Sequence, residues 1–154
     1  MKVIVATVGK PRDPALAAAI QEFEGRAARY WPLEVHEVRG EPAQSVSADL
    51  VRKREGERLA RVLPKSVHVV ACDPGGTPKT SEEFSAWLQA ERERARDVAL
   101  VIGGAFGLPD AVLSRAQTRL SLAPWTLSHE LARLVLAEQL YRAGTIVRRE
   151  PYHK

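Results

Sequence analysis

Five short runs rich in Val, Ile and Leu, at residues 2–8, 33–39, 66–72, 98–102 and 118–122, alternate with longer charged stretches of helical period. Runs of that length are too short for free-standing helices but suit buried strands, and the stretches between them are long enough to cross back over a sheet. The alternation predicts an α/β fold, with helices laid on a mainly parallel sheet of five to six strands. Helices are expected over about 13–30, 46–62, 81–95, 109–115 and 128–144. Thr80 with Glu83 three residues later is a capping box, which fixes the start of the third. Pro11 and Pro14 suit a first helical turn, whereas Pro64, Pro74, Pro78 and Pro124 fit loops.

Composition sets the scale of this fold. A chain of 154 residues is one domain's worth, so residues 1–154 are expected to form a single unit. With 45% apolar and 27% charged residues it fills a core and solvates its outside, which excludes wholesale disorder. The 23 Lys and Arg against 19 Asp and Glu leave +4, too small an excess to prove a nucleic-acid partner. Cys72 is the only cysteine, so no intramolecular disulfide forms. The opening lacks the pattern of a signal peptide and no apolar run is membrane-length, so a soluble, cytoplasmic protein is expected, with no membrane partner. The second helix carries Arg52, Lys53, Arg54, Arg58 and Arg61 against Glu55 and Glu57, and reads as a solvated, ion-paired face or a contact for RNA phosphates. Residues 91–97, with charges of alternating sign, read as surface.

The segment Leu100 to Pro109 runs an apolar strand straight into a turn containing Gly103, Gly104 and Gly107. Without a Cβ, such a turn lets backbone approach a ligand, and ligands of open parallel sheets bind beyond the carboxyl ends of strands. The spacing is G-G-x-x-G after the fourth strand, not the G-x-G-x-x-G that opens a dinucleotide-binding unit, so a nucleotide-dependent oxidoreductase is disfavoured. Two further turns, Cys72 to Thr77 and Leu122 to Ser128, follow other strands, and the three together predict one crevice suited to a flat heterocycle. Cys72, ending an apolar strand, reads as a buried thiol more than as a nucleophile. His36, His68, His129 and His153 lack metal-ligand spacing and no G-x-S-x-G is present, so neither metal catalysis nor a serine hydrolase is expected.

The last helix carries Leu131, Leu134, Val135, Leu136, Leu140 and Tyr141 on more than one face, which suggests a partner helix from a second copy. Glu138 and Arg142 are spaced to pair along it. Beyond it, Arg148, Arg149, Tyr152, His153 and Lys154 combine cations, an aromatic ring and an imidazole, groups that meet phosphates and stack on unpaired bases.

Taken together, Ile102-Gly103-Gly104 through Gly107-Leu108, Leu120-Ser121-Leu122 to Thr126-Leu127 with His129, Glu138 to Ala143, and the ending Pro151-Tyr152-His153-Lys154 resemble the RlmH family over the whole length. These are small SPOUT-class methyltransferases that act on N3 of a pseudouridine in bacterial 23S rRNA. The resemblance implies an α/β-knot fold with a deep C-terminal trefoil knot, against the general rule that chains do not thread their own loops. It also implies a homodimer acting on the large subunit or the 70S ribosome, with S-adenosylmethionine (SAM) as cofactor and no metal. The cofactor-binding positions carried over are Cys72, Gly103, Gly104, Gly107, Leu122, Ala123, Pro124, Trp125, Thr126, Leu127 and Ser128. Ala105-Phe106 departs from many relatives, which carry a small residue or proline and then a polar one. For catalysis His153 is the leading base candidate, with Glu138 and His129 as alternatives, Arg142 to neutralise developing charge and Tyr152 to position the base. A non-catalytic ribosome- or RNA-binding module of the same fold is the alternative function.

Overall fold

The computed structural model describes residues 1–42, 44 and 46–154. Five parallel strands, β1 (Val3–Val8), β2 (Leu33–Val38), β3 (His68–Pro78), β4 (Val98–Ile102) and β5 (Thr118–Ser121), form one sheet in the order β2-β1-β4-β3-β5. Every residue of β1 and β4 is buried, as expected of central strands covered on both faces. Five helices alternate with the strands: α1 (Pro14–Ala27), α2 (Ala48–Val62), α3 (Ser81–Glu93), α4 (Asp110–Arg115) and α5 (His129–Val147).

The period-2 alternation of the strands divides the core into two layers. Val3, Val5, Val70, Leu100 and Ile102 point to one face, where Ala27 of α1, Leu88 of α3 and Leu136 and Leu140 of α5 cover them, with Trp31 from the turn after α1. Ile4, Ala6, Val8, Val69, Ala71, Ala99 and Val101 point to the other, beneath Leu59 of α2 and Val112 of α4. The helices begin where their caps dictate. Asp13 accepts from Ala15 N and Leu16 N at 2.9 Å with Pro14 opening α1, and the Thr80–Glu83 capping box is formed at α3. Pro11 lies before the helix rather than in it.

Three local readings are corrected. First, β3 does not stop at Cys72. Cys72 and Thr77 both face Leu120, so Asp73 to Gly76 bulge out of the ladder and the strand resumes as far as Pro78. Pro74 is tolerated because a bulge leaves its residues outside the regular pairing, and Pro78, opposite Ser121, is the last residue of the strand. A Cβ on Gly76 would lie 2.7 Å from the Arg119 carbonyl carbon, so only glycine fits this crossing. Second, α5 continues through Gly144 to Val147, because the bare side of Gly144 receives the Tyr30 ring. Third, segment 91–97 is not uniformly surface. Glu91 is 1% exposed and takes Arg94 at 2.9 Å, with His68 and Arg96 at 3.4 Å.

Helices α3 and α5 each end in a Schellman motif built on a non-glycine residue. At α3, Ala95 (φ 52°) and Arg96 donate to the Arg92 and Glu91 carbonyls; at α5, Arg149 (φ 56°) and Glu150 donate to those of Ile146 and Thr145. A left-handed conformation costs an L-residue about 1 kcal/mol, so Ala95→Gly is expected to stabilise the fold by about that amount in urea denaturation. An unchanged or lower midpoint would contradict the cap assignment.

Candidate active site

The carboxyl ends of β3 and β4 and the segment after β5 meet at one pocket. It is lined by Cys72, Asp73 and Pro74, by the turn Ile102 to Ala105 with Gly107, by Leu122, Ala123 and Trp125 to Leu127, and by His129 and Ala132 of α5. The glycine turn is narrow. Gly107 N donates to the Gly104 carbonyl at 3.0 Å, and a Cβ on Gly103 would lie 2.5 Å from the Gly107 carbonyl carbon. Asp73 is held at the rim by Arg119 at 2.6 Å. The pocket opens beside the N-terminus of α5, where the Ser128 hydroxyl accepts from Leu131 N at 3.3 Å.

Nine of the eleven cofactor candidates line this pocket: Cys72, Gly103, Gly104, Gly107, Leu122, Ala123, Trp125, Thr126 and Leu127. Pro124 does not line it although its neighbours do, and Ser128 serves as the α5 cap. Trp125 is 78% exposed at the rim instead of packing in this chain's core, and Phe106 of the departing pair is also exposed. Burial pushes the Cys72 thiol up to about 12, so at neutral pH it is protonated and a poor nucleophile.

Four of the five catalytic candidates form a second cluster, on α5 and the tail. Arg142 donates through Nε and Nη2 to Glu138 Oε1 at 3.0 and 2.6 Å, and the Tyr152 hydroxyl donates to the same oxygen at 3.0 Å. His153 Nδ1 lies 3.3 Å from Arg142 Nη1 and its Nε2 lies 2.7 Å from Glu82. The Tyr152 ring packs on Tyr141 with centroids 4.5 Å apart and lies under the Arg142 guanidinium. Burial, and then the hydrogen bond to Glu138, push the Tyr152 phenol above its usual range, so it stays neutral and donates. The tail is therefore anchored, not a frayed basic end. His129 is not part of this cluster. It lies on the pocket wall, nine residues before Glu138, about 14 Å away along the helix axis.

The sequence reading missed Glu55. It expected this residue on a solvated face of α2, yet Glu55 is 5% exposed and Arg54 and Arg58 turn away from it to Glu41. Its position was the available signal: Val51, Glu55 and Leu59 recur every four residues and form the buried stripe of α2. Among the described residues no group of three or more His, Cys, Asp or Glu is placed to hold a metal, and no helix is long and apolar enough to cross a membrane.

Comparisons with known proteins agree with this architecture. The family model described as "Predicted SPOUT methyltransferase" matches residues 1–153. A protein of Gemmatimonas aurantiaca named ribosomal RNA large subunit methyltransferase H is 62% identical over 154 residues, covering 100% of both chains. Proteins of the same name from an Anaeromyxobacter species and from Syntrophotalea carbinolica are 46% and 40% identical, the first covering 100% of both chains and the second 99%. Among solved structures, a probable methylase family protein from Haemophilus influenzae superposes with a TM-score of 0.54 at 16% identity, covering 99% of this chain and 70% of that one. A probable methyltransferase from Bordetella pertussis gives 0.54 at 16% identity over 93% and 94%. At such identities the structural likeness speaks for the fold alone, whereas the full-length sequence relationship places the chain in the SPOUT methyltransferases, within the family of ribosomal RNA large subunit methyltransferase H.

Proposed function

We propose that this chain transfers a methyl group from SAM to N3 of a pseudouridine in 23S rRNA, on the large subunit or the assembled 70S ribosome in the cytoplasm. The observation that carries the reading is the convergence of three loops on one pocket at the carboxyl ends of the strands, in a chain related over its whole length to rRNA methyltransferases. The pocket's residues fit the cofactor. Gly103 and Gly104 bring bare backbone to its wall, and Leu122 and Leu127 offer apolar sides.

When bound, SAM supplies an electrophilic methyl group on a sulfonium. In-line transfer needs no protein nucleophile, so the chain's task is to align donor and acceptor and to exclude water. The N3 proton has to leave. His153 is the base in this reading, held between Arg142 and Glu82, and Arg142 faces the charge that develops on a neighbouring carbonyl oxygen. Tyr152 positions the base.

Within one chain the tail cluster and the pocket lie towards opposite ends of α5, so the tail of a second copy completes the pocket. The exposed Trp125, Phe106 and Leu131 support a homodimer, because such apolar groups around a site are surface for a partner to cover. A single five-stranded domain over residues 1–154, with its C-terminal third knotted, belongs to the same reading.

Two measurements test it. Calorimetric titration should show SAM binding to the purified chain, and mass spectrometry of rRNA should show the mark lost from cells lacking it. Gly103→Leu, whose side chain has no space beside Gly107, should weaken SAM binding by at least ~10-fold, or about 1.4 kcal/mol. A marked nucleotide in the deletion strain would refute the activity, and undiminished binding by the variant would refute the pocket.

A further inference from the structure

The turn between α1 and β2 meets the end of α5 through one side chain, Tyr30. This turn is fixed from two sides. The Trp31 indole donates to the Leu140 carbonyl of α5 at 2.8 Å, and Arg92 of α3 donates to the Tyr30 carbonyl while its guanidinium lies 4.0 Å from the centre of the Trp31 ring. The Tyr30 ring fills the space beside Gly144, where a Cβ would lie 2.3 Å from Cγ of the ring. From there aromatic contacts run out to the tail. Tyr30 and Tyr141 have centroids 5.8 Å apart, and Tyr141 and Tyr152 4.5 Å.

Arg149 (φ 56°) turns the chain out of α5, and residues 150–154 follow. A chain end of this kind frays unless side chains tie it down. Two ties are made by the candidate catalytic groups themselves, Tyr152 to Glu138 and His153 to Glu82. A third comes before them. The Tyr30 hydroxyl donates to Glu150 Oε2, and Arg148 lies 4.6 Å over the Tyr30 ring with its Nη2 donating to the Arg29 carbonyl at 3.2 Å. The hydrogen bond to Glu150, and then burial, raise the Tyr30 phenol above its ordinary range, so it stays protonated and donates. Glu150 precedes Pro151, and a residue before proline is pushed towards extended backbone. Few directions remain to the tail once the Glu150 side chain is held.

We propose that Tyr30 is a positioning residue for methyl transfer, which by holding Glu150 sets the direction in which Tyr152 and His153 leave α5. The inference rests on the methyltransferase reading above, in which these two groups act on the pocket of a second copy. The donor pocket of their own chain does not touch them, so their aim is set by the contacts around α5. The Tyr30 hydroxyl does not line that pocket either, and it acts through Glu150.

The test pairs Tyr30→Phe with variants of Glu150. Phenylalanine keeps the ring beside Gly144 and Tyr141 and removes only the donor. Its kcat on ribosomes should fall by ~10-fold or more, because small misplacements of reacting groups are costly, while SAM affinity stays at the wild-type value. Glu150→Ala should fall as far, and the two changes together no further than either alone, because they break one contact. Glu150→Gln, whose amide oxygen still accepts from the phenol, should stay within ~3-fold of wild type. Trypsin reads the tail without activity: cleavage after Arg149 should be ~5-fold or more faster in Tyr30→Phe, with cleavage elsewhere unchanged. Losses that add in the double variant, reduced SAM affinity in Tyr30→Phe, or faster cleavage throughout the chain overturn the proposal. Wild-type turnover by Tyr30→Phe beside an inactive chain carrying Tyr152→Ala and His153→Ala overturns it while leaving the tail in the mechanism. Failure of the wild type to methylate ribosomes instead overturns the methyltransferase reading itself.

Discussion

Joint replacement of Tyr152 and His153 by alanine is expected to lower rRNA methylation by ~100-fold or more while SAM titrates the variant as it does the wild type. The separation follows from where the two side chains lie. Neither lines the donor pocket, and their partners, Glu138, Arg142 and Glu82, do not line it either. The variant removes an aromatic surface supported by Tyr141 and Arg142 and an imidazole oriented by Glu82, but leaves the glycine turn intact. A methyl-transfer assay on ribosomes, run beside calorimetry with SAM alone, measures both halves. Wild-type activity in the double variant would remove the tail from the mechanism, and loss of SAM binding would mean that the tail supports the pocket in this chain as well.

The other large effect concerns stability. Arg133 is 6% exposed and ties three elements together, donating to Glu24 of α1 through Nε at 2.7 Å and Nη2 at 3.1 Å, and to Glu37 of β2 through Nη1 at 2.7 Å. Burial disfavours its charge, but the hydrogen bonds to Glu24 and Glu37 outweigh this and hold its pKa above the usual value. Arg133→Met leaves two carboxylates facing each other without their cation. The side chains of Glu24 and Glu37 keep some contact with water, so the expected loss is about 3 kcal/mol, the low end for breaking a buried pair. Urea denaturation measures it. Adding Glu24→Gln and Glu37→Gln to the Met variant should recover part of the loss, because neutral amides do not repel. A midpoint unchanged in Arg133→Met would show that solvent screens the whole network.

The strands and helices were legible because their burial is periodic. Val3 to Val8, apolar but for Thr7, and Val98 to Ile102 are runs covered on both faces, and such runs announce themselves without any knowledge of partners. Legibility failed where a local rule met a tertiary contact. Pro74, Gly75 and Gly76 read as the end of a strand, yet the ladder to β5 resumes at Thr77. The last helix was expected to end at about 144, yet it runs on to Val147, with the Tyr30 ring packed where a side chain on Gly144 would be. For the site, the three loops were visible as glycine- and proline-marked strand ends, and the pocket they share follows from parallel strands placing those ends on one side. Glu55 was overlooked because charge was weighed ahead of position: a carboxylate in register with Val51 and Leu59 belongs to the buried stripe whatever its neighbours in sequence carry.

The strand order also bears on how the polypeptide matures as it is synthesised. β1 emerges first and finds β2 within 40 residues, but its other flank stays without a neighbour until residues 98–102 have been made. Until then the nascent sheet presents an open edge whose side chains are apolar but for Thr7, the kind of surface that chaperones cover and that promotes aggregation. Fragments that end before β4 should accordingly be insoluble when expressed alone, and the donor pocket takes shape only once Ala132 of α5 has left the exit tunnel.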